Sequence, residues 1–223
     1  MLETIHQDFP IQFSCATGYG RKHFPDADII KTEINCAAVG GARSLAGEKN
    51  IIDIGGEDIK VIRCNAQNNV EHFYLNNKCA AGTGAFITEI AERAELEISE
   101  MSRLAAKSNF NQELNSFCTV FAKTEIMGWL FNGLAKADIA RGIYLSIANR
   151  TSKLRVDVNV PILLIGGVIA YHPFLRDLLE EKFHQKVIVA EKPIYVVSLG
   201  AALIAKYHYL KNRERSKEVE VVE

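Results

Sequence analysis

Cys79 lies directly before a glycine-rich run, in the stretch NNKCAAGTGAF at 76–86. Glycines at this density let backbone N–H groups approach an anion, whereas a cysteine thiolate is a ligand for metal ions. Both properties serve one purpose if the anion is itself a metal cluster. The alternative is a helix-leading cysteine that acts as a reactive thiol without any metal.

A second cysteine, Cys118, has a similar setting in the segment FCTVFAKTE at 117–125. Like Cys79, it stands just ahead of a predicted helix. The two cysteines are too far apart in the chain for a local metal-binding knuckle, so a shared metal would have to be assembled from distant segments. Plain burial is the alternative for Cys118, because Phe117 and Phe121 flank it.

The other cysteines give no sign of a site. An odd total of five in a reducing compartment argues against a disulfide framework, and no CxxC pair or His/Cys cluster predicts a local zinc site. The three that remain lie in apolar or small-residue segments, and we expect them in the core. They are Cys15, Cys36 and Cys64.

Two turns that follow predicted strands carry adjacent glycines, DIGGED at 53–58 and IGGV at 165–168. Because glycine lacks a Cβ atom, such pairs let backbone amides approach phosphate oxygens or the flat face of a nucleotide. A carboxylate beside the first pair, Asp53 or Asp58, could hold Mg²⁺ through water. A tight hairpin without a ligand is the alternative for each turn taken singly. The four glycines are Gly55, Gly56, Gly166 and Gly167.

Composition limits the class of protein. The 223 residues include 26 Lys plus Arg and 27 Asp plus Glu, which gives a formal net charge of −1. No broad basic field is available for nucleic acid or an anionic membrane, so we expect small molecules or proteins as partners. The N-terminal stretch lacks the basic and apolar regions of a signal peptide, and residues 158–175 hold too many turn formers for a bilayer helix. These features predict a soluble, cytoplasmic protein.

The elements that position these residues form an α/β pattern. Short apolar runs predict strands at 11–16, 51–54, 59–64, 71–75, 160–167 and 186–190. Apolar residues at helical spacing predict helices at 34–46, 86–94, 98–106, 120–131, 139–154, 174–183 and 198–211, followed by a solvated and frayed tail. At 120–131, apolar residues at helical spacing predict an amphipathic helix; they are Val120, Phe121, Met127, Leu130 and Phe131.

Several of these motifs together resemble the BadF/BcrA-type ATPases, the ATP-dependent activators of 2-hydroxyacyl-CoA dehydratases and benzoyl-CoA reductases. The cysteine-bearing pair NNKCAAGTGAF and FCTVFAKTE is the most specific part of the resemblance, whereas DIGG alone also occurs in actin, Hsp70 and sugar-kinase relatives. The resemblance spans about residues 13–207. Further similar stretches are DIGGEDIKVI, LLIGGVIA, ATGYGR at 16–21, TEINCAAVGGA at 32–42 and SLGAALIAKY at 198–207.

The resemblance implies an actin-like ATPase fold of the ASKHA, ribonuclease-H-like type, an α/β fold with two lobes. Residues 1–48 would be the remnant of the first lobe, 49–205 the second lobe with the cysteine motifs, and 206–223 the helix end and charged tail. Family members open with a strand–turn–strand of the form DxGSTxxK, and nothing before Ala16 resembles it. We therefore expect a complete second lobe and a first lobe that lacks its opening strands.

For the cysteine motifs, the resemblance implies one [4Fe–4S] cluster at the interface of a homodimer. Each subunit would supply two ligands, Cys79 and Cys118. Gly82 and Gly84 would let the backbone come near the inorganic sulfides, and the helix N-termini would favour the reduced, more negative cluster. Glu125 would be a polar contact on the cluster helix; the alternative is a solvent-facing glutamate.

For the glycine turns, the resemblance implies Mg-ATP bound between the lobes. The second phosphate loop would hold the phosphates, and the later glycine turn would face the adenosine. The residues implied are Asp53 as catalytic residue, Gly55, Gly56 and Asp58 in the phosphate loop, and Gly166 and Gly167 at the adenosine.

The resemblance thus implies an iron–sulfur activator that transfers an electron, coupled to ATP hydrolysis, to a 2-hydroxyacyl-CoA dehydratase or benzoyl-CoA reductase. A low-potential donor such as ferredoxin or flavodoxin would reduce it. Because no DxGST-type loop is found, the sequence leaves open whether the protein hydrolyses ATP. A truncated gene, a split gene or a loss of ATPase activity would each explain the missing loop. A non-hydrolysing [4Fe–4S] carrier or subunit is the main alternative. An actin-like sugar or acid kinase without metal is the third, although no sugar-binding base stands out.

Overall fold

A five-stranded sheet organises the molecule, whose computed structural model describes residues 10–76, 82–115 and 118–220. The strands within these ranges are β1 (Cys15–Ala16), β2 (Ile29–Ile30), β3 (Lys49–Ile54), β4 (Ile59–Cys64), β5 (Val70–Asn76), β6 (Ile162–Ile165) and β7 (Val187–Val189). Strands β1 and β2 form a parallel pair of their own, and the large sheet has the order β5-β4-β3-β6-β7. Its first three strands form the predicted antiparallel meander, and β6 and β7 continue from β3 in parallel.

Strands β3 and β6 lie in the centre of the large sheet. All of their residues are buried, because helices cover both faces. The one charged side chain at the start of β3, Lys49, is fully buried, and it donates hydrogen bonds to the Gly47 carbonyl at 2.8 Å and to Asn68 Oδ1 at 2.6 Å. These bonds satisfy an ammonium group that would otherwise destabilise the strand.

The helices form two hydrophobic cores, one on each face of the sheet. Ile52 and Ile54 of β3 point into the larger core, and Ile51 of the same strand points into the smaller one, as the alternation of side chains along a strand requires. In the described ranges the α-helices are α1 (Glu33–Gly41), α2 (Gly84–Arg93), α3 (Met101–Ala105), α4 (Thr119–Phe131), α5 (Lys136–Ser152), α6 (Gly167–Tyr171), α7 (Phe174–Phe183) and α8 (Val196–Glu220). Short 3₁₀ helices occupy Tyr19–His23, Ile98–Glu100 and Pro193–Tyr195.

Helices α1 and α8 approach each other closely through glycines. A Cβ atom on Gly40 would lie 2.0 Å from the Val196 carbonyl oxygen, and one on Gly200 would lie 1.8 Å from the Cys36 carbonyl oxygen. Both helices contribute to the smaller core beside β3 and β6. The glycine contact therefore fixes α1, and with it the chain before β3, against the sheet.

The order of elements agrees with the prediction, and the helix predicted at 174–183 has these bounds in the structure. Four details differ. Strand β2 (Ile29–Ile30) was not predicted. The strand predicted at 11–16 is confined to Cys15–Ala16. The tail that was expected to fray continues α8 to Glu220, because its Lys, Arg and Glu residues are good helix formers. Helix α6 (Gly167–Tyr171), directly after the second glycine turn, was not predicted.

The predicted lobe boundaries after residues 48 and 205 stay a prediction. Helix α1 lies before the first boundary and packs on the five-stranded sheet, and α8 crosses the second boundary without a break. Among the described residues, no helix combines the length and the apolar character that crossing a membrane requires.

We expect Gly200→Ala to lower the free energy of unfolding by about 1–3 kcal/mol, because the added methyl group would force α8 away from the Cys36 carbonyl. Urea unfolding followed by circular dichroism measures the loss. The matched control is Gly128→Ala on α4, where an added Cβ meets nothing within 4 Å; it should keep or raise stability, by up to ~1 kcal/mol. A Gly200→Ala variant as stable as the wild type would contradict the close helix contact.

Candidate functional site

The two glycine turns meet at one end of the five-stranded sheet. In the parallel pairing of β3 with β6, Asp53 lies opposite Ile165, so the DIGGED and IGGV turns leave the sheet side by side. The start of α2 closes on the first turn, since the N–H of Gly84 donates to the carbonyl of Gly55 at 3.0 Å and the next N–H donates to the carbonyl of Gly56 at 2.7 Å. Three segments that are separate in the sequence therefore belong to one site.

Gly166 is the contact point between the turns. Its φ of +100° lies in the region that favours glycine, and an added Cβ would lie 2.4 Å from Asp53 Oδ1 and 2.5 Å from the Ile54 carbonyl oxygen. Its neighbour Gly167 faces open space at the start of α6. Gly166 is thus required by the packing around Asp53, whereas Gly167 leaves room for a ligand.

Gly82 and Gly84 are held against residues of the same site. Gly82 has a φ of +88°, and its added Cβ would meet the side chains of Arg150 at 3.0 Å and Ile59 at 3.3 Å. An added Cβ on Gly84 would lie 3.2 Å from the Cα of Gly56. This packing was not predicted, and the approach of both glycines to a cluster stays a prediction.

Asp53 is a buried acid at the centre of the site. It is 6% exposed, and burial raises the pKa of its carboxyl group to about 6. The Lys60 ammonium opposes this shift, and the nearby Asp58 and Glu33 carboxylates add to it. At neutral pH, the protonated fraction of Asp53 is therefore larger than that of an ordinary aspartate.

Lys60, on β4, bridges three carboxylates. Its Nζ atom lies 2.5 Å from Asp58 Oδ1, 3.1 Å from Glu33 Oε2 and 3.8 Å from Asp53 Oδ2. The lysine side chain is only 9% exposed. Its carboxylate partners raise its pKa in spite of its burial, so the ammonium stays charged. We call these four side chains the Lys60 cluster.

A cleft of about 1060 Å³ opens beside the first glycine turn, at the upper end of the size range of ligand pockets. Its lining includes three basic residues of the 3₁₀ helix, Arg21, Lys22 and His23. Cations and a glycine turn suit phosphate oxygens, and the carboxylates suit Mg²⁺. The cleft is lined by Tyr19, Arg21, Lys22, His23, Thr32, Glu33, Ile34, Gly55, Gly56, Glu57, Asp58, Lys60 and Leu75.

Cys118 is exposed and immediately precedes α4. Its predicted position ahead of a helix is confirmed, and the alternative of burial is wrong. Three of the five apolar residues of the predicted amphipathic helix are also exposed, with Val120 at 69%, Phe121 at 66% and Phe131 at 83%, whereas Met127 and Leu130 are half-buried. Val120 and Phe131 lie three helical turns apart and thus on one side of α4. We call the three exposed residues the α4 strip.

Glu125 holds the segment before Cys118 against α4. Its two carboxylate oxygens accept the backbone N–H of Asn115 at 3.0 and 2.9 Å, and one also accepts the Asn115 side-chain amide at 2.7 Å. The carboxylate is thus engaged in positioning the chain that leads to Cys118. Its predicted contact with a cluster stays a prediction.

The predicted cysteine pair is not tested by the structure. Cys79 lies outside the described residues, so no distance relates it to Cys118. Among residues 10–76, 82–115 and 118–220, no three His, Cys, Asp or Glu side chains are arranged to hold a metal ion.

Lys60 and Glu33 are site residues that the sequence reasoning missed. The available signal for Lys60 was a charged residue inside the apolar strand IKVIRC, two positions after Asp58. For Glu33, the signal was an acidic residue directly after the helix cap Thr32, whose hydroxyl accepts the Asn35 N–H. Neither signal indicates that both side chains meet.

The chain is similar to activator proteins over most of its length. The BadF/BadG/BcrA/BcrD ATPase family matches residues 2–205. An activator of lactoyl-CoA dehydratase from Anaerotignum propionicum is 38% identical over 197 residues, which cover 87% of this chain and 76% of that protein. The (R)-2-hydroxyglutaryl-CoA dehydratase activating ATPase of Acidaminococcus fermentans is 37% identical over 209 residues, 92% of this chain and 80% of the relative.

The fold is also similar to a solved activator structure. The activator of the 2-hydroxyisocaproyl-CoA dehydratase from Clostridium difficile, solved with bound ADPNP, matches with a TM-score of 0.90 and 32% identity. The match covers 96% of this chain and 82% of that one. The predicted actin-like ATPase fold is therefore confirmed.

The raised pKa of Asp53 predicts a pH dependence of stability. Because the folded protein binds this proton more tightly than the unfolded chain does, ionisation of Asp53 lowers the free energy of unfolding as pH rises from about 4 to about 7. Asp53→Asn removes this loss, so the variant should gain on the order of 1–3 kcal/mol over the wild type between pH 4 and pH 8. Urea unfolding with EDTA at both pH values measures the difference; an equal difference at both would contradict the buried-acid account.

Proposed function

We propose that this chain, which belongs to the BadF/BadG/BcrA/BcrD ATPase family, is an ATP-dependent activator that transfers electrons to a 2-hydroxyacyl-CoA dehydratase or a benzoyl-CoA reductase. The observation that carries the proposal is the meeting of two glycine turns at Asp53, in a fold shared with an activator that binds ADPNP. The activator relatives support the class of partner enzyme.

The nucleotide would bind in the cleft beside the first glycine turn. Gly55 and Gly56 would face the phosphates, as their place in the cleft wall supports. Asp53 and Asp58 would hold Mg²⁺. Burial already raises the pKa of Asp53. Gly166 and Gly167 do not line the cleft itself, and they would contact the nucleotide from the neighbouring turn, where Gly167 faces open space.

The electron carrier would be a [4Fe–4S] cluster held by Cys79 and Cys118 of two subunits. Cys118 suits this role because it is exposed and precedes a helix whose first N–H groups favour an anion. The cluster, when bound, supplies one-electron redox chemistry. Glu125 would position the segment before Cys118, and Gly82 and Gly84 would shape the chain that follows Cys79.

The α4 strip supports the homodimer. Large apolar side chains beside an exposed cysteine are typical of a surface that another protein covers. A second copy of the chain would cover the strip and supply the other two thiolates. We place the protein in the cytoplasm, where its thiols stay reduced, with a ferredoxin or flavodoxin as electron donor.

Mg-ATP binding is the first test. The wild type should bind Mg-ATP in calorimetry and hydrolyse it. Gly166→Ala should weaken binding by at least ~10-fold, because the added Cβ would displace Asp53 or the backbone of Ile54 at the first glycine turn.

Gly128→Ala, with open space around its added Cβ, is the matched control and should bind as the wild type does. Binding without turnover would favour the non-hydrolysing electron carrier. No binding at millimolar Mg-ATP would contradict the ATPase proposal.

Iron binding is the second test. Protein purified without oxygen should be brown and contain iron, and Cys79→Ala or Cys118→Ala should each abolish the colour and the iron, because each removes two of four ligands per dimer. Cys15→Ala is the control, since Cys15 lies half-buried on β1, and it should keep both. Colour that survives in both ligand variants would end the cluster proposal.

A further inference from the structure

Lys60 is a buried cation in the wall of the cleft. Its three carboxylate partners come from three places in the fold: the end of β3 for Asp53, the following turn for Asp58 and the first residue of α1 for Glu33. The ammonium has three donor hydrogens and can therefore face all three carboxylates at once.

The net negative charge of the Lys60 cluster disfavours the binding of a polyphosphate. When its three carboxylates are ionised, the cluster has a formal charge of −2, because it contains only one ammonium group. This charge lies at the first glycine turn. Like charges at such short distances repel one another strongly where they are partly shielded from water. A nucleotide triphosphate therefore needs compensating cations at this wall of the cleft.

We propose that Lys60 is the positioning residue that partly offsets the charge of the carboxylates without nucleotide and donates to a phosphate oxygen when Mg-ATP binds, releasing Asp53 and Asp58 to Mg²⁺. The inference rests on the proposed function and deepens it. Lys60 suits the exchange because its flexible stem carries a compact charge and because it lines the cleft together with Gly55 and Gly56.

The exchange couples the binding of Mg²⁺ to the binding of nucleotide. Without nucleotide, Lys60 competes with Mg²⁺ for Asp53 and Asp58, so Mg²⁺ alone binds weakly. With nucleotide, the phosphates attract the ammonium, and the carboxylates become available. Each ligand therefore strengthens the binding of the other, as linkage requires.

The test compares two calorimetric titrations of metal-free full chain, one with MgCl₂ alone and one with ATP at saturating MgCl₂. Lys60→Met should weaken Mg-ATP binding by about 10- to 100-fold, which corresponds to one hydrogen bond between charged groups. The same variant should bind Mg²⁺ alone at least ~10-fold more tightly than the wild type, because its carboxylates lack their internal cation. A merely structural role of Lys60 would not produce this gain.

Two variants control for charge. Lys60→Arg keeps the cation and should lie much nearer the wild type than Lys60→Met in both titrations. Lys186→Met removes the same charge from an exposed position before β7 and should leave both affinities unchanged. Unchanged Mg-ATP affinity in Lys60→Met, or no gain in Mg²⁺ binding, would overturn the inference.

A second pair of variants serves if Lys60→Met does not fold. The double variant Lys60→Met/Glu33→Gln has the formal cluster charge of the wild type, and Glu33→Gln alone frees Lys60 from one partner. The double variant should bind Mg-ATP at least ~10-fold more weakly than Glu33→Gln, and equal affinities would overturn the inference. A wild type that does not bind Mg-ATP would contradict the proposed function, whereas the MgCl₂ titration still decides the role of Lys60.

Discussion

The parallel pairing of β3 with β6 is the constraint on which the rest of the site depends. It places Asp53 opposite Ile165, so that two glycine turns far apart in the chain emerge from the same end of the sheet. A shift of one residue in this register would turn Asp53 towards the other face and separate it from Gly166. The burial of both strands secures the register, because any slip would expose apolar side chains or bury polar ones.

Electrostatics then gives this end of the sheet its chemical character. Asp53 is buried enough for its pKa to rise to about 6, and Lys60 keeps three nearby carboxylates together. One of these, Glu33, belongs to α1, which packs against α8 through glycines. The cluster therefore joins the chain before β3 to the first glycine turn, and a ligand that rearranges the cluster would also act on that junction.

Local patterns predicted the antiparallel meander, helix α7 and the two glycine turns, because short-range periodicity and glycine pairs determine these features. Contacts between distant segments escaped prediction, as the meeting of Glu33 and Lys60 illustrates. The α4 strip shows a different limit: helical spacing identifies Val120 and Phe131 as apolar neighbours, but it does not distinguish burial in the chain's own core from an exposed surface. The charged tail was expected to fray in solvent, although its Lys, Arg and Glu residues favour a helix, and it extends α8.

Cys118 and the cleft lie on one scaffold, so the proposed nucleotide and redox chemistry would be linked through α2, whose start is bonded to the first glycine turn. Hydrogen–deuterium exchange with and without Mg-ADPNP tests whether the paired glycine turns bind the nucleotide. We expect slower exchange at 53–60, 84–88 and 165–169 when the nucleotide is present, with unchanged exchange at β7. Unchanged exchange in the two glycine turns, or protection confined to other segments, would contradict this proposal.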